Sequence, residues 1–292
     1  MWASNDNRRA GHSIWYTQCR VRFDYTTVGH VTADVTADGD CQPGGSAFYS
    51  ALQAARLGKR ALIITRGVAS ELEELLVPYH DELALEIQEA PCTTSLATSG
   101  KGHERAQRVL AWAGAMDAGL TVDTAVLHLA PIARETTTDW RGTAGFVGLT
   151  PQGLLRRWSS ENEQIVLEQL DRSQLPERYD AAVISALERP FCAALLDGHA
   201  VIAVTDEADP TELLLAAQAP QRVDVPAVER MREDLGAGDV FAAAFFIGLA
   251  DGEDPLSAAT FANAAASLRV SGYGPAAVPD RAAIVARLSA LG

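Results

Sequence analysis

The feature that most restricts the fold of this chain is an early switch in apolar periodicity. Residues 21–28 alternate as a half-buried strand and end at Gly29-His30, and residues 31–35 form a second β-prone piece. Asp38-Gly39-Asp40 is a turn signal. Pro43-Gly44-Gly45 then opens an apolar, alanine-rich helix over residues 46–57, which Gly58 stops, and residues 61–65 are a short buried strand ending at Gly67. A helix between two buried strands carries the chain back across a sheet face, so the second strand pairs parallel to the first. The chain is therefore expected to be α/β with a central, mostly parallel sheet.

The pattern continues along the chain. A helix is expected at 70–76. Strands are expected at 83–88, 93–97, 105–111, 126–129, 146–149, 182–185, 201–205 and 223–225, with a polar Ser99-Gly100-Lys101-Gly102 turn between two of them. Residues 163–170 read as a further helix. Two long alanine-rich helices, 237–250 and 255–270, and a last one, 281–291, complete the chain. Residues 1–20 are polar and without periodicity and read as a flexible extension. No repeat or low-complexity linker separates the rest, so 21–292 is expected to be one domain with a small β appendage.

Composition removes several classes of function. No run of about 18 apolar residues occurs, so no membrane-spanning helix and no membrane partner are expected. The polar start with Arg8 and Arg9 has no apolar stretch behind it, which implies a cytoplasmic protein. A net charge of -14 opposes binding to a nucleic-acid backbone. Cys19, Cys41, Cys92 and Cys192 form no C-x-x-C pair and have no histidine cluster beside them, which argues for reduced thiols and against zinc. Lysine occurs only at Lys59 and Lys101, and no G-x-x-x-x-G-K-[ST] loop exists, so a Walker-type ATPase is disfavoured. No G-x-G-x-x-G follows the first strand, which disfavours a dinucleotide oxidoreductase.

Two segments carry chemistry. In Glu233-Asp234-Leu235-Gly236-Ala237-Gly238-Asp239-Val240-Phe241, small residues run into an apolar helix, so backbone N–H groups and the helix N-terminus can approach an anion. Asp239 would repel a phosphate, which makes sense if it accepts a proton from a hydroxyl attacking phosphorus. The alternative is an acidic helix-start residue favoured by the dipole. In the second segment, Gly44-Gly45 opens the 46–57 helix after Gly29-His30-Val31-Thr32-Ala33-Asp34. There a substrate can press on backbone while Asp34 holds two hydroxyls of a polyol; the alternative is a tight turn with a surface aspartate. His128, in an apolar strand, reads as a core histidine. His30 reads as structural with substrate contact as its alternative, and Lys101 and His103 read as a solvated hairpin tip with a lid contact to phosphate as the alternative.

Together the segments resemble the ribokinase/PfkB family of carbohydrate kinases. Gly236-Ala237-Gly238-Asp239-Val240-Phe241, continuing through Phe261-Ala262-Asn263-Ala264-Ala265-Ala266 to Gly274, is similar to its C-terminal signature. Gly44-Gly45-Ser46-Ala47 through Ala54-Ala55-Arg56-Leu57-Gly58 is similar to its N-terminal one. The resemblance implies a ribokinase-like three-layer α/β/α sandwich with a small, reduced β lid from elements near 31–43 and 84–111. It implies an ATP- and Mg2+-dependent kinase acting on a sugar or polyol. Asp239 would be the catalytic base, and the backbone of Gly236, Ala237 and Gly238 the anion hole. Asp34, Gly44 and Gly45 would hold substrate hydroxyls, with Tyr49 at the position of the family's substrate-touching Asn. Thr205 and Asn263 would lie at the nucleotide, and Glu188 would support magnesium through water.

The chain departs from the family at several points. The Asn-x-x-Glu motif reads Ser185-Ala186-Leu187-Glu188, and Thr-x-Gly reads Thr205-Asp206-Glu207. Glu233-Asp234-Leu235 replaces Asp-Thr-Thr before Gly236, which puts a monovalent-cation site in doubt. The short gap from Asp34 to Gly44, the Thr93-Thr94-Ser95 strand with Arg105 and Arg108, and Leu129-Ala130-Pro131-Ile132 followed by Gly148-Leu149-Thr150-Pro151-Gln152-Gly153 are more similar to the inositol-kinase-like branch. Pro151-Gln152-Gly153 is expected at the rim of the site. A nucleoside kinase of the same fold, and a kinase-like binding protein with weakened turnover, are the alternatives. A reduced lid also leaves a sheet edge through which a homodimer could form.

Overall fold

A computed structural model describes residues 22–35, 41–100, 102–136, 139–159, 161, 163–196 and 200–291. The expected extension 1–20, the Asp38-Gly39-Asp40 turn, Lys101 and the His103 side chain lie outside the described residues. The first half of the chain runs β1 (Phe23–Val28), β2 (Thr32–Val35), β3 (Cys41–Gly44), α1 (Ser46–Arg56), β4 (Ala61–Gly67), α2 (Ala69–Leu76), β5 (Leu83–Glu89), β6 (Ser95–Ser99), β7 (Ala106–Ala111), β8 (Leu120–Leu129) and β9 (Trp140–Leu149). The second half runs α3 (Gln152–Leu155), β10 (Arg156–Arg157), β11 (Val166–Leu167), β12 (Ala181–Ser185), α4 (Ala193–Leu196), β13 (Val201–Asp206), β14 (Asp209–Leu214), β15 (Gln221–Val223), α5 (Ala237–Ala250), α6 (Pro255–Arg269) and α7 (Arg281–Ser289).

Nine strands form the main sheet in the order β15-β14-β13-β12-β9-β8-β1-β4-β5. Its pairings from β13 to β5 are all parallel, and β14 and β15 add an antiparallel edge. One face packs on α1, α5, α6 and α7 through a core that includes Tyr25, Phe48, Leu52, Ile63, Phe245 and Phe246. α5 is apolar around its whole circumference, and Val240 to Gly248 are all buried, as expected of a helix enclosed between a sheet and other helices. Gly148 of β9 is part of that fit, because a Cβ there would collide with the Phe246 ring. The opposite face is covered by the one-turn helices α3 and α4 and by loops, over Val28, Leu127, Leu129, Leu149 and Ile184. A second sheet, in the order β3-β2-β6-β7, stands apart from the first. It covers Leu96, Val109, Ile132 and Ala133, with Trp158 and Ile165 packed alongside.

Three local expectations change. Residues 163–170 are not helical. Glu163 has a positive φ of 57°, Val109 N–H donates to the Glu163 carbonyl and Ile165 N–H to that of Gln107, so this stretch is spent on pairing beside β7. The strands expected at 126–129 and 146–149 are only the apolar carboxyl halves of ten-residue strands. β14 was not expected at all: Asp209-Pro210-Thr211-Glu212 reads as polar loop, but its backbone pairs with β13.

Candidate active site

In a parallel sheet the loops after the carboxyl ends of the strands gather along one edge, where side chains from distant sequence converge. Here that edge collects Asp34 beyond β1, Glu135 beyond β8, Arg156 beyond β9, Glu188 beyond β12 and Thr205 at the end of β13. The N-terminus of α5 faces the same cleft. Gly236 is its N-cap in the left-handed region, with φ 76°. That conformation disfavours a side chain, and a Cβ would also run into the ring of Tyr49. The Ala237 N–H closes a turn onto the Asp234 carbonyl at 3.2 Å, whereas the N–H groups of Gly236, Gly238 and Asp239 make no backbone bond among the described residues. Of the expected anion hole, Gly236 and Gly238 are therefore open and Ala237 is engaged, while Asp239 adds its own N–H. Gly238 is exposed, and a Cβ there would meet nothing within 4 Å, so the loop has room beside it for a ligand.

Asp239 stands in the first turn of α5 and is half-buried. Burial pushes its carboxyl up to about 6; the Ser46 hydroxyl and the charges of Arg156 and Arg105 draw it down, and Glu188 pushes it up. Asp34 is 4% exposed. Burial lifts it to about 6 as well, against the Thr32 hydroxyl and Arg156, with Asp239 and Glu233 adding to the rise. Thr32 Oγ1 donates to Asp34 Oδ1 at 2.7 Å. Because β2 and β3 pair Thr32 with Gly44, the carboxylate lies over Gly44, and a Cβ there would collide with it. Gly45 has φ 90°, and a Cβ would strike the His30 carbonyl. Two carboxylates that act on each other thus share one cleft, one over a glycine pair and one at a helix N-terminus.

Glu188 is 7% exposed. Its Oε2 accepts from Ser185 N–H at 2.8 Å, and its own N–H donates to Ser185 Oγ at 3.3 Å. Ser185 thus closes the turn that orients Glu188, whose charge acts on both Asp239 and Arg156. Among the described residues no three acidic, histidine or cysteine side chains converge on a point that could hold a metal ion. Such a set is compatible with magnesium held mainly by phosphate oxygens and water, and Glu188 is the buried carboxylate expected to face it. Thr205 pairs with Ser185 in the β12–β13 ladder, and its hydroxyl donates to the Ile184 carbonyl at 3.4 Å.

Two of the expected contact residues, Tyr49 and Asn263, are buried and already have protein partners. Tyr49 is 1% exposed and belongs to the core. Its ring backs Gly236, where a Cβ would collide with it. Asn263 is 2% exposed, and its amide is already in use. Oδ1 accepts from Thr211 at 2.8 Å, and Nδ2 donates to the carbonyls of Val223 and Asp224 at 3.2 Å each. It pins α6 to β14 and β15.

Other residues join the site without a motif to mark them. Arg156 is 5% exposed, donates to the Ile132 carbonyl at 2.9 Å and to Gln107 Oε1 at 2.6 Å, and faces the charges of Glu188, Asp239 and Glu135. The only hint was its place three residues beyond Pro151-Gln152-Gly153, which does pack here: Gly153 N–H donates to the Pro131 carbonyl at 3.0 Å. Glu135 is buried and accepts from the N–H groups of His30, Ile132 and Ala133 at 2.6–2.9 Å, joining the β1–β2 turn to the end of β8. His30 pairs through Nδ1 with Thr94 Oγ1 at 2.7 Å, and burial lowers its pKa. His128 is a core histidine held by Tyr25 and Thr150, pushed down to about 3 by burial. The β6–β7 hairpin leans on the loop before Gly236. Arg105 pairs with Asp234 at 2.6 Å, and Gly102 N–H donates to Asp234 at 2.7 Å. Beside it lies a cavity of about 450 Å³ lined by Glu104, Asp206, Glu207 and Asp209 among others.

Residues 196–281 match the model of the pfkB family carbohydrate kinases. No curated protein matches the chain by sequence. Among solved structures, the chain is similar to a pyrophosphate-dependent kinase of the ribokinase family complexed with a pyrophosphate analog and myo-inositol (TM-score 0.71, 18% identity, 90% of this chain and 99% of that one). It is also similar to Arabidopsis thaliana ribokinase complexed with ribose and ATP (TM-score 0.68, 15% identity, 92% and 99%). A third is the Methanocaldococcus jannaschii nucleoside kinase, an archaeal member of the ribokinase family (TM-score 0.65, 16% identity, 92% and 99%). The chain has the ribokinase fold, and among the described residues no helix is long and apolar enough to cross a membrane.

Proposed function

We propose that this protein is a kinase that moves the γ-phosphoryl group of ATP to a hydroxyl of a sugar, a cyclitol such as myo-inositol, or a related polyol. The observation that carries the reading is the pairing of Asp239, at a helix N-terminus with unengaged N–H groups, with Asp34 over Gly44-Gly45 across the same cleft. Asp34 orients the acceptor by taking hydrogen bonds from its hydroxyls, and the flat glycine surface admits the ring. Asp239 accepts the proton of the attacking hydroxyl as that oxygen approaches phosphorus in line. The N–H groups of Gly236, Gly238 and Asp239 stabilise charge gathering on the transferred group. Arg156 and Arg105 keep this carboxylate-rich site from being uniformly negative. Magnesium bound with the donor would neutralise phosphate charge, with Glu188 as its protein contact through water.

A second reading concerns the donor. The Asn263 amide is consumed, acids follow Thr205 where the family has glycine, and the cavity beside them is lined by carboxylates. The consumed amide and the missing glycine remove two contacts a nucleotide would use, so an inorganic donor such as pyrophosphate, which needs neither, is the second reading, while the carboxylate-lined cavity repels either donor. A panel of polyols, sugars and nucleosides, run once with ATP-Mg and once with pyrophosphate-Mg and scored by acceptor phosphorylation, tests both readings. Turnover of a polyol supports the kinase, and the donor arm decides between nucleotide and pyrophosphate. A nucleoside preferred over every polyol would overturn the acceptor class. Donor binding in calorimetry with no turnover of any acceptor would overturn the enzyme.

A further inference from the structure

Arg269, in the last turn of α6, is 0% exposed and is the largest fully buried side chain of the described residues. Burying a guanidinium is costly unless something nearby uses its charge. Its surroundings match it only in part. Nη2 is 3.3 Å from Glu233 Oε2 and 3.5 Å from the Tyr49 hydroxyl, and the guanidinium lies 5.3 Å over the Tyr49 ring. Nε and Nη1 are buried without a hydrogen-bond partner among the described residues. Glu233 is itself shared, since Oε2 also accepts Gly274 N–H at 2.5 Å. The same tyrosine ring rests against Gly236, the N-cap of the anion-hole helix. Arg232 N–H donates to the Val270 carbonyl at 2.8 Å, so the loop 232–236 and the end of α6 form one unit around the arginine.

The family resemblance implies a monovalent cation near the loop before Gly236. The residues there do not fit one, because the Glu233 carboxylate is already taken by Gly274 and by a guanidinium closed off from solvent. We propose that Arg269 is the protein's own fixed cation beneath the anion-hole loop, standing in place of a monovalent metal ion. It acts as a positioning residue: through Glu233 and Tyr49 it holds Gly236 where the following N–H groups face the cleft, and its partly unmatched charge favours negative charge there. The role in turnover rests on the kinase reading; the cation independence does not.

The test uses the full chain and has two arms. In the first, thermal unfolding is followed in KCl, NaCl and choline chloride at equal ionic strength. The wild type is expected to melt alike in all three, and Arg269→Ala to be stabilised specifically by guanidinium at about 10 mM, which refills the site. Potassium stabilising the wild type well beyond choline would overturn the proposal, with or without an assignable activity. In the second arm, Arg269→Ala is expected to lower kcat about tenfold or more with little change in acceptor KM, and added guanidinium to restore part of it. The double variant Arg269→Met/Glu233→Gln removes both charges and leaves no stranded carboxylate, so it keeps the test open if the single variant does not fold. It is expected to fold and to stay slow. A double variant as fast as the wild type would show the arginine to be structural only. A wild type that turns over no acceptor defeats the kinase reading, and the melting arm then decides the cation proposal alone.

Discussion

The carboxylate of Asp34 lies directly over the Cα of Gly44, held there by the β2–β3 register and by Thr32, whose hydroxyl would sit 2.9 Å from a Cβ at position 44. The glycine is therefore needed for the position of the acid. Gly44→Ala is expected to displace Asp34 and raise acceptor KM about tenfold or more, because small misplacements of a positioning group are costly. Overpacking should cost about 1–3 kcal/mol of stability. Steady-state kinetics and a denaturant melt check both.

The two aspartates give a signed pH dependence. Folding lifts Asp34 and Asp239 from 3.8 to about 6. Between those values the folded chain holds more protons than the unfolded one. Their contribution to stability is thus fully present below about pH 3.8 and lost as pH rises through about 6. Asp34→Asn is accordingly expected to be more stable than the wild type at pH 8, by about 1–2 kcal/mol, with the difference gone near pH 4. Turnover of the wild type should fall on the acid side, with a limb near 6 as Asp239 takes up a proton and can no longer accept one from the hydroxyl. Melts and a kcat–pH profile measure these.

Asn263 separates structure from catalysis. Asn263→Ala leaves the Thr211 hydroxyl and two backbone carbonyls without their partner. A loss of about 2–4 kcal/mol in stability is expected, with donor KM unchanged in the protein that remains folded. A large rise in donor KM without loss of stability would place Asn263 at the donor site instead.

Much of the frame was legible because it follows from apolar periodicity and small-residue punctuation. Ala237–Ala250 is helical as expected, and Gly236-Ala237-Gly238-Asp239 opens it at the cleft. Asp34 and Gly44 were both singled out, and one antiparallel ladder brings them together, a register the sequence does not report. What the sequence does not report is local packing. Tyr49 and Asn263 occupy family positions, but α1 turns the first toward α5 and α6 turns the second toward β14. β14 is polar in sequence and is held by backbone pairing that periodicity does not report. Arg156 and Arg269 are single arginines in ordinary contexts, and only the fold brings them beneath the carboxylates and the anion-hole loop.

The most direct measurement is the turnover of Asp239→Asn with the best acceptor and donor from the panel. The variant keeps the shape of the site and loses only the proton acceptor. It is expected to fold, to bind the acceptor with wild-type affinity, and to lose about 10²–10⁴-fold in kcat. A folded Asp239→Asn enzyme turning over near the wild-type rate would contradict the account.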